Sequence, residues 1–242
     1  MSRLPSALRA ACATTLVTGA FLASVSGAQA ITLYDGGARV EQNTAVQDFQ
    51  SSLDQLDTYA VDDVHFADDV VITSVSAMFM LGASEPAASY SAILTIFDGS
   101  DPLTNADDPA TGGDFGLIGT ATVTAEDGIH RLTMSGLSIA LTAGDYFIGL
   151  TPSLDTTVDG QSWIYMAGFE DESGWFVRNP GGGWSQGGDW RSSLEIGDVA
   201  EYGNLAMRVE GVGGAAVPLP APALLLGAGL MALAGAARRR RR

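Results

Sequence analysis

The sequence predicts an all-β protein: a single antiparallel β-sandwich of jelly-roll type, flanked by an N-terminal signal peptide and one C-terminal hydrophobic helix. Short runs rich in Val, Ile, Thr, Tyr and Phe recur between clusters of Gly, Asp, Asn and Pro, as is typical of a sandwich or a barrel. No long segment has a helical period, and no internal repeat is visible. These patterns fall between two end segments that look like processing signals, so we predict the fold from residues 31–216.

The first 30 residues have the three parts of a secretory signal peptide. Arg3 and Arg9 precede an apolar stretch over residues 10–23, and the segment closes on Ala28-Gln29-Ala30. A basic start, a short apolar stretch and small residues one and three places before a cut favour cleavage by signal peptidase after Ala30. The only cysteine, Cys12, lies in this segment, so the exported chain has no disulfide and no thiol chemistry.

The domain expected from residues 31–216 is strongly acidic. It holds all 28 acidic residues of the chain and five arginines, a net charge of −23, and the chain has no lysine. The five arginines are Arg39, Arg131, Arg178, Arg191 and Arg208. This charge repels phosphate backbones and excludes nucleic acid as a partner, while it favours divalent cations or cationic partners. A solvated acidic surface explains the same composition without a partner.

Eight runs within this domain read as strands, with turn residues between them. They are TYAVDDVHFA (58–67), VVITSVSAMFML (70–81), YSAILTIFD (90–98), LIGTATVT (117–124), IHRLTMSG (129–136), DYFIGLT (145–151), QSWIYMAGF (161–169) and NLAMRVEG (204–211). The second and third are apolar nearly throughout, as central strands are. In the last, Leu205, Met207 and Val209 alternate with polar or small residues at 204, 206, 208 and 210, which indicates one wet face. Residues 41–57 are polar and read as a loop or one short helix.

The C-terminal segment, residues 217–242, has three parts in a fixed order. It opens with Val217, Pro218, Leu219, Pro220 and Ala221, continues without a charge to Ala237, and ends in Arg238, Arg239, Arg240, Arg241 and Arg242. The uncharged stretch of 17 residues is at the lower limit for crossing a bilayer. The positive-inside rule keeps the arginines cytoplasmic, which leaves the acidic domain on the outer side of the membrane. A single-span anchor fits this composition as well as a sorting signal does.

A Pro-x-Pro motif, a short hydrophobic helix and a terminal arginine cluster together resemble the PEP-CTERM sorting signal in its VPLPA-type variant. The resemblance implies export by a Gram-negative bacterium, recognition by an exosortase-type transpeptidase and removal of the tail near residues 218–221. It also implies an association with exopolysaccharide and biofilm. Leu219 stands where the commoner form has glutamate, which leaves open which processing enzyme reads the motif. We therefore expect transient attachment to the inner membrane with the domain on the periplasmic side, followed by release to the cell surface or the extracellular matrix.

The resemblance extends more loosely into the domain. Ala67-Asp68-Asp69, residues 144–150 (GDYFIGL) and residues 204–211 are similar to strand markers of exported domains that carry such tails. These segments are markers of a fold and imply no catalytic role.

One acidic loop suggests calcium. Six hard oxygen ligands fall within residues 98–116, namely Asp98, Asp101, Asn105, Asp107, Asp108 and Asp114. Ca²⁺ takes six to eight such ligands, but the spacing matches no EF-hand. A turn-rich solvated loop, built from Asx-turns with Gly and Pro, explains the same residues without a metal.

All four tryptophans lie within residues 163–190, and two of them, Trp184 and Trp190, are in a glycine-rich segment where we expect exposed loops. Exposed aromatic rings next to Asp, Asn and Gln bind sugars by stacking and hydrogen bonding, so Trp184 and Trp190 are candidate sugar-binding residues. The alternative is that Trp163 and its neighbours belong to the core and that the loop tryptophans cap one end of the sandwich.

The sequence offers little support for catalysis. His65 and His130 are the only histidines, and no G-x-S-x-G, H-E-x-x-H or P-loop motif occurs. Zinc is not expected with two histidines and no cysteine in the exported part. We therefore expect a non-enzymatic surface or matrix protein without a catalytic residue. The alternatives are a carbohydrate-binding module and, third, a secreted glycan hydrolase, which needs a pair of carboxylates that the sequence does not locate.

Overall fold

The computed structural model describes residues 30–83, 85–99, 116–126, 129–168, 174–183, 188–193 and 203–213. Nearly all regular structure within these residues is β, as the sequence predicts. The expected signal peptide, apart from Ala30, and the whole C-terminal segment lie outside them. Within the described residues, no helix is long and apolar enough to cross a membrane.

Fourteen strands are assigned in these ranges, numbered here in chain order. They are β1 (Ile31–Asp35), β2 (Arg39–Ala45), β3 (Asp48–Phe49), β4 (Tyr59–Phe66), β5 (Val70–Leu81), β6 (Ser89–Asp98), β7 (Gly116–Glu126), β8 (Ile129–Leu141), β9 (Gly144–Leu154), β10 (Ser162–Ala167), β11 (Phe176–Arg178), β12 (Arg191–Ser192), β13 (Asn204–Leu205) and β14 (Met207–Gly213). All eight predicted runs are strands, the last of them divided between β13 and β14. Apolar residues at alternating or consecutive positions locate such strands well because the signal is local.

The strands that the sequence did not predict are short or polar. Residues 41–57, read as a loop or one short helix, contain the end of β2, all of β3 and a 3₁₀ helix over Ser51–Leu56. The sequence of β2, RVEQNTA, has few apolar residues, yet it pairs antiparallel with β10, where Thr44 lies opposite Ile164 and Ala45 opposite Trp163. A strand at the margin of a sheet is held by backbone hydrogen bonds to its neighbour, and these leave no apolar signal in its own sequence.

The strands form one mostly antiparallel sheet. Ten of them follow the order β1-β14-β5-β8-β7-β6-β9-β4-β11-β12, while β10 pairs with β2, β5 and β13, and β3 pairs parallel with β9. The order brings the first strand, β1, beside the last, β14, where Thr32 lies opposite Glu210. The strands β6, β7 and β8 are consecutive in the chain and also pair antiparallel in the sheet, β6 with β7 and β7 with β8.

The sheet curls so that one face surrounds the main hydrophobic core. Buried side chains come from strands far apart in the order, including Val75 on β5, Leu132 on β8, Leu150 on β9 and Ile164 on β10. Each of these four side chains is fully buried. A curled sheet thus encloses its own core, and the burial of apolar area supplies the main stabilising free energy.

The last predicted strand differs from its expected alternation. Asn204 and Ala206 were expected on a wet face, but they are 5% and 3% exposed. Ala206 lies between two strands: its N–H donates to the carbonyl of Tyr165 on β10, and its own carbonyl accepts from the N–H of Met78 on β5. The chain is irregular at Ala206 and packed on both sides there. The alternation of exposed and buried side chains therefore holds only within β14.

Candidate functional site

An open cleft of about 580 Å³ lies on the face of the sheet turned away from the main core. In the register of β14, β5 and β8, Arg208 stands opposite Ser76, and Ser76 stands opposite Thr133. The preceding residue of β14, Met207, points into the core, and side chains on a strand alternate between faces, so Arg208 lies on the opposite face. The cleft is lined by Asp35, Gly37, Ala38, Arg39, Met78, Glu126, Arg131, Ala206, Met207 and Arg208.

The floor of the cleft is formed by apolar side chains of the sheet. Met78 and Ala206 belong to a small buried cluster with Ile129, Tyr165 and Ala167, separate from the main core. Met78 is 8% exposed and Ala206 3% exposed. The floor is therefore anchored by packing, and the polar groups stand around it on strands whose spacing the sheet determines.

Two arginines of the cleft are held by carboxylates. Arg131 on β8 donates from Nε to Oε2 of Glu126 at 2.7 Å and from Nη2 to Oε1 at 3.2 Å, a two-pronged contact. Arg208 on β14 donates from Nη2 and Nε to Oδ2 of Asp35, at 2.7 and 3.2 Å. Paired contacts of this kind fix the plane of a guanidinium group.

The third arginine is held differently. The guanidinium carbon of Arg39 lies 5.1 Å from the ring centroid of Tyr165, in the geometry of a cation–π contact. Its Nη1 also donates to Oε1 of Glu41 at 3.1 Å, but the Glu41 side chain is 90% exposed and does not line the cleft. The lining therefore carries three guanidinium groups and two carboxylates, a net charge of +1 on a strongly acidic domain.

The charges of the cleft act on Glu126. The hydrogen bond from Arg131 is the main cause that lowers the pKa of this carboxyl, and the positive charges of Arg131 and Arg208 lower it further. Glu126 is thus held ionised. A general acid for glycoside cleavage needs a carboxyl whose pKa is raised, so Glu126 has the opposite character.

Nothing in the sequence indicates that the three arginines of the cleft lie close together. Arg39, Arg131 and Arg208 are separated by long stretches of chain and carry no motif. The sequence gives one local signal: Arg131 and Arg208 are each the single arginine of a run with a strand pattern, IHRLTMSG and NLAMRVEG. Only the pairing of β14 with β5, and of β5 with β8, brings them to one place.

The expectation that Trp190 is exposed is wrong. Trp190 is 2% exposed and packs against Phe97, with ring centroids 5.7 Å apart. It belongs to a second buried cluster with Tyr59, Val61 and Ile93. A ring in this position has no free face for a sugar, because β4 and β6 supply partners that the glycine-rich local sequence does not reveal.

The remaining tryptophans divide between the core and the undescribed part. Trp175 is fully buried in the main core. Trp163 on β10 is half-buried, and Tyr165, two residues further on the same face, is 7% exposed. Trp184 lies outside the described residues, so its role as a candidate sugar-binding residue stays a prediction.

The two histidines lie in different surroundings. Nδ1 of His65 on β4 is 2.6 Å from Oδ1 of Asp145 on β9, and the two side chains are 69% and 76% exposed. A contact so accessible to water contributes little free energy. His130 on β8 is half-buried, and its register partner on β5 is Phe79.

The candidate calcium ligands fall mostly outside the described residues. Asp98 ends β6 with an exposed side chain, and Asp101, Asn105, Asp107, Asp108 and Asp114 all lie in the undescribed range 100–115. Within the ranges that the structure covers, no three acidic, histidine or cysteine side chains group as a metal site requires. The calcium prediction therefore concerns residues that lie almost entirely outside the described part of the chain.

The fold and the cleft define a mostly antiparallel β domain with a mixed-charge surface site over an apolar floor. The chain matches no model of a known protein family, and no curated protein matches it significantly.

Proposed function

We propose that the chain is a non-enzymatic protein exported to the cell surface or the extracellular matrix, where it is associated with exopolysaccharide. The observation that carries this proposal is the order of parts in residues 217–242: a Pro-x-Pro motif, an uncharged stretch of 17 residues and five arginines at the end. A plain anchor needs an apolar stretch and flanking charge but no proline motif. We propose that an exosortase-type transpeptidase cuts near Pro218 and Pro220.

The signal-peptide pattern supports the same location. Cleavage after Ala30 leaves a chain that starts at Ile31, the first residue of β1, and β1 pairs with β14 at the other end of the domain. We propose that the curled sheet is a two-layer jelly-roll sandwich. The acidic charge of the domain keeps it soluble outside the membrane.

A non-enzymatic role is supported by the electrostatics of the cleft. Glu126 is held ionised by Arg131, and Asp35 accepts two hydrogen bonds from Arg208. Hydrolysis of a glycoside by two carboxyl groups requires that one of them hold a proton at neutral pH. Release of reducing ends from an acidic or neutral polysaccharide by the purified protein would favour the hydrolase alternative.

Mass spectrometry of the protein from its native host tests the sorting proposal. We expect the mature surface form to begin at Ile31 and to end near Pro220. The double change Pro218→Ala and Pro220→Ala is expected to abolish processing, whereas Arg242→Lys, which keeps the terminal charge, is expected to leave it intact. Mature surface material that still ends at Arg242 would overturn the proposal in favour of a membrane anchor.

The alternative function, a carbohydrate-binding module with tryptophan platforms, now depends on Trp184, because Trp190 is buried. Glycan pull-down with Trp184→Ala tests this alternative. Trp163→Ala is the control for the loss of one tryptophan ring elsewhere. Loss of glycan retention only in Trp184→Ala would favour a platform at that residue.

Calcium binding by the acidic residues 98–114 remains a separate prediction. Millimolar Ca²⁺ is expected to raise the melting temperature of the protein if carboxylates of residues 98–114 hold the ion, because a ligand that binds only the folded state stabilises it. Mg²⁺ at equal concentration is the control, since it demands a stricter octahedral geometry. No shift and no heat of binding with Ca²⁺ would exclude the site.

A further inference from the structure

We propose that the arginine cleft binds a carboxylate-bearing sugar, the uronate unit of an acidic polysaccharide. It gathers three of the five arginines of residues 31–216 on a domain whose net charge is −23. The lining holds two carboxylates against these three cations. The sign of the local charge is therefore reversed relative to the domain as a whole, and one bound carboxylate would neutralise it.

The arginines keep hydrogen-bond donors for such a ligand. Arg208 uses Nε and Nη2 toward Asp35, and Arg39 uses Nη1 toward Glu41. Among the contacts of the described residues, Nη1 of Arg208 and Nε and Nη2 of Arg39 have no acceptor. A guanidinium group has five N–H donors, and a carboxylate accepts two of them side by side. Asp35 orients Arg208, and Glu126 orients Arg131. The donors of Arg208 and Arg39 named above stay available to a ligand.

The floor of the cleft selects more than an inorganic anion. Met78 and Ala206 are buried and line the cleft, and the volume of about 580 Å³ is in the range of small-molecule sites. The C–H face of a pyranose ring packs on such a floor while its carboxylate reaches the rim. A small hydrated ion such as phosphate would gain nothing from the apolar groups.

A row of hydroxyl groups extends from the cleft along the same face. In the register of the sheet, Arg208 stands opposite Ser76, Ser76 opposite Thr133, and Thr133 opposite Thr122. Arg131 also contacts Ser76, with Nη1 at 3.4 Å from Oγ. Ser76 is only 7% exposed, so the accessible hydroxyl groups of this row are those of Thr133 and Thr122. They offer donors and acceptors on neighbouring strands, and this favours a hydroxyl-rich chain over an acidic peptide.

The acidic charge of the domain opposes a polyanion at long range but not at the cleft. At physiological ionic strength charges more than about 8 Å apart are largely screened, whereas a carboxylate in direct contact with a guanidinium group is not. The net repulsion therefore slows the approach of the polysaccharide more than it weakens the contact.

Calorimetric titration of the full chain with trigalacturonate tests the assignment. We expect binding of trigalacturonate, no binding of neutral galactotriose, and no competition from equimolar acetate. The double change Arg208→Gln and Asp35→Asn removes the pair without leaving a lone carboxylate, and it is expected to weaken binding at least tenfold. Arg191→Gln removes the same charge on β12, outside the cleft, and is expected to leave the affinity unchanged.

A second variant keeps the test valid if the double variant fails to fold. Arg39→Gln loses only an exposed partner, Glu41, and the contact with Tyr165, so a normal melting temperature with a tenfold loss of affinity supports the cleft. Equal binding of galactotriose, equal losses in Arg191→Gln, or tighter binding of an acidic peptide would overturn the proposal. Sugar binding by the cleft and processing of the tail are independent, because a domain that binds no sugar would still be processed and an unprocessed domain would still bind.

Discussion

The change Trp190→Ala separates a structural tryptophan from a sugar-binding one. The side chain is 2% exposed, and its ring lies 5.7 Å from that of Phe97 at an interplanar angle of 52°. Phe97 in turn contacts Phe147, and Phe147 contacts Phe176 on β11, so Trp190 ends a chain of four rings. Removal of the indole leaves a cavity at the point where β12 joins this face of the sheet.

The magnitude of the effect follows from the buried area. An indole side chain buries about 200 Å², which at about 25 cal/mol per Å² gives about 5 kcal/mol, an upper bound because the unfolded chain already hides part of this area. The tilted aromatic contact with Phe97 adds about 1 kcal/mol. Changes of a buried Trp to Ala cost about 3–5 kcal/mol, and we expect Trp190→Ala to lower the free energy of unfolding by that amount.

Urea unfolding followed by far-UV circular dichroism measures this loss without relying on tryptophan fluorescence. Trp190→Phe keeps most of the ring and is expected to lose roughly half as much. Val158→Ala, at a position 75% exposed, is expected to change the free energy of unfolding by less than about 0.5 kcal/mol. A loss below about 1 kcal/mol for Trp190→Ala, together with loss of glycan retention, would refute a core role for this tryptophan.

Two further changes probe the sheet and the cleft. In Gly149→Ala the new methyl group would clash with the carbonyl oxygen of Ala60 on β4, so we expect urea unfolding to show a loss of about 3 kcal/mol. In Gly119→Ala the methyl group meets only the flexible end of Met134, at 3.1 Å, and an equal loss there would contradict this reasoning. The pKa of Glu126 is lowered on folding, so its stabilising contribution is present above the unfolded value and lost as the pH falls through the lower folded value. The difference in melting temperature between wild type and Glu126→Gln should therefore shrink below pH 4.5, the ordinary value of this carboxyl, and a constant difference would rule out the ion pair as its cause.

The sequence alone determines most of the β structure of this domain. The run 70–81 is β5 residue for residue, and the run 90–98 differs from β6 by one residue, because apolar and β-branched residues in a strand reflect the burial of that same strand. The polar strand β2 carries no such signal, since it is held by hydrogen bonds to β10. The sequence also determines the acidity of the domain, and it contains the whole of the tail motif.

Only the tertiary structure decides which distant residues meet. Trp190 follows a run of glycines and looks exposed, but Tyr59 and Phe97 from other strands cover it. Arg131 and Arg208 are each the single arginine of a separate strand, and the shared pairing with β5 places them on one face. Local sequence determines whether a segment forms a strand, whereas strand order and register determine its neighbours. The charge of the cleft and the burial of Trp190 both depend on neighbours far away in the chain.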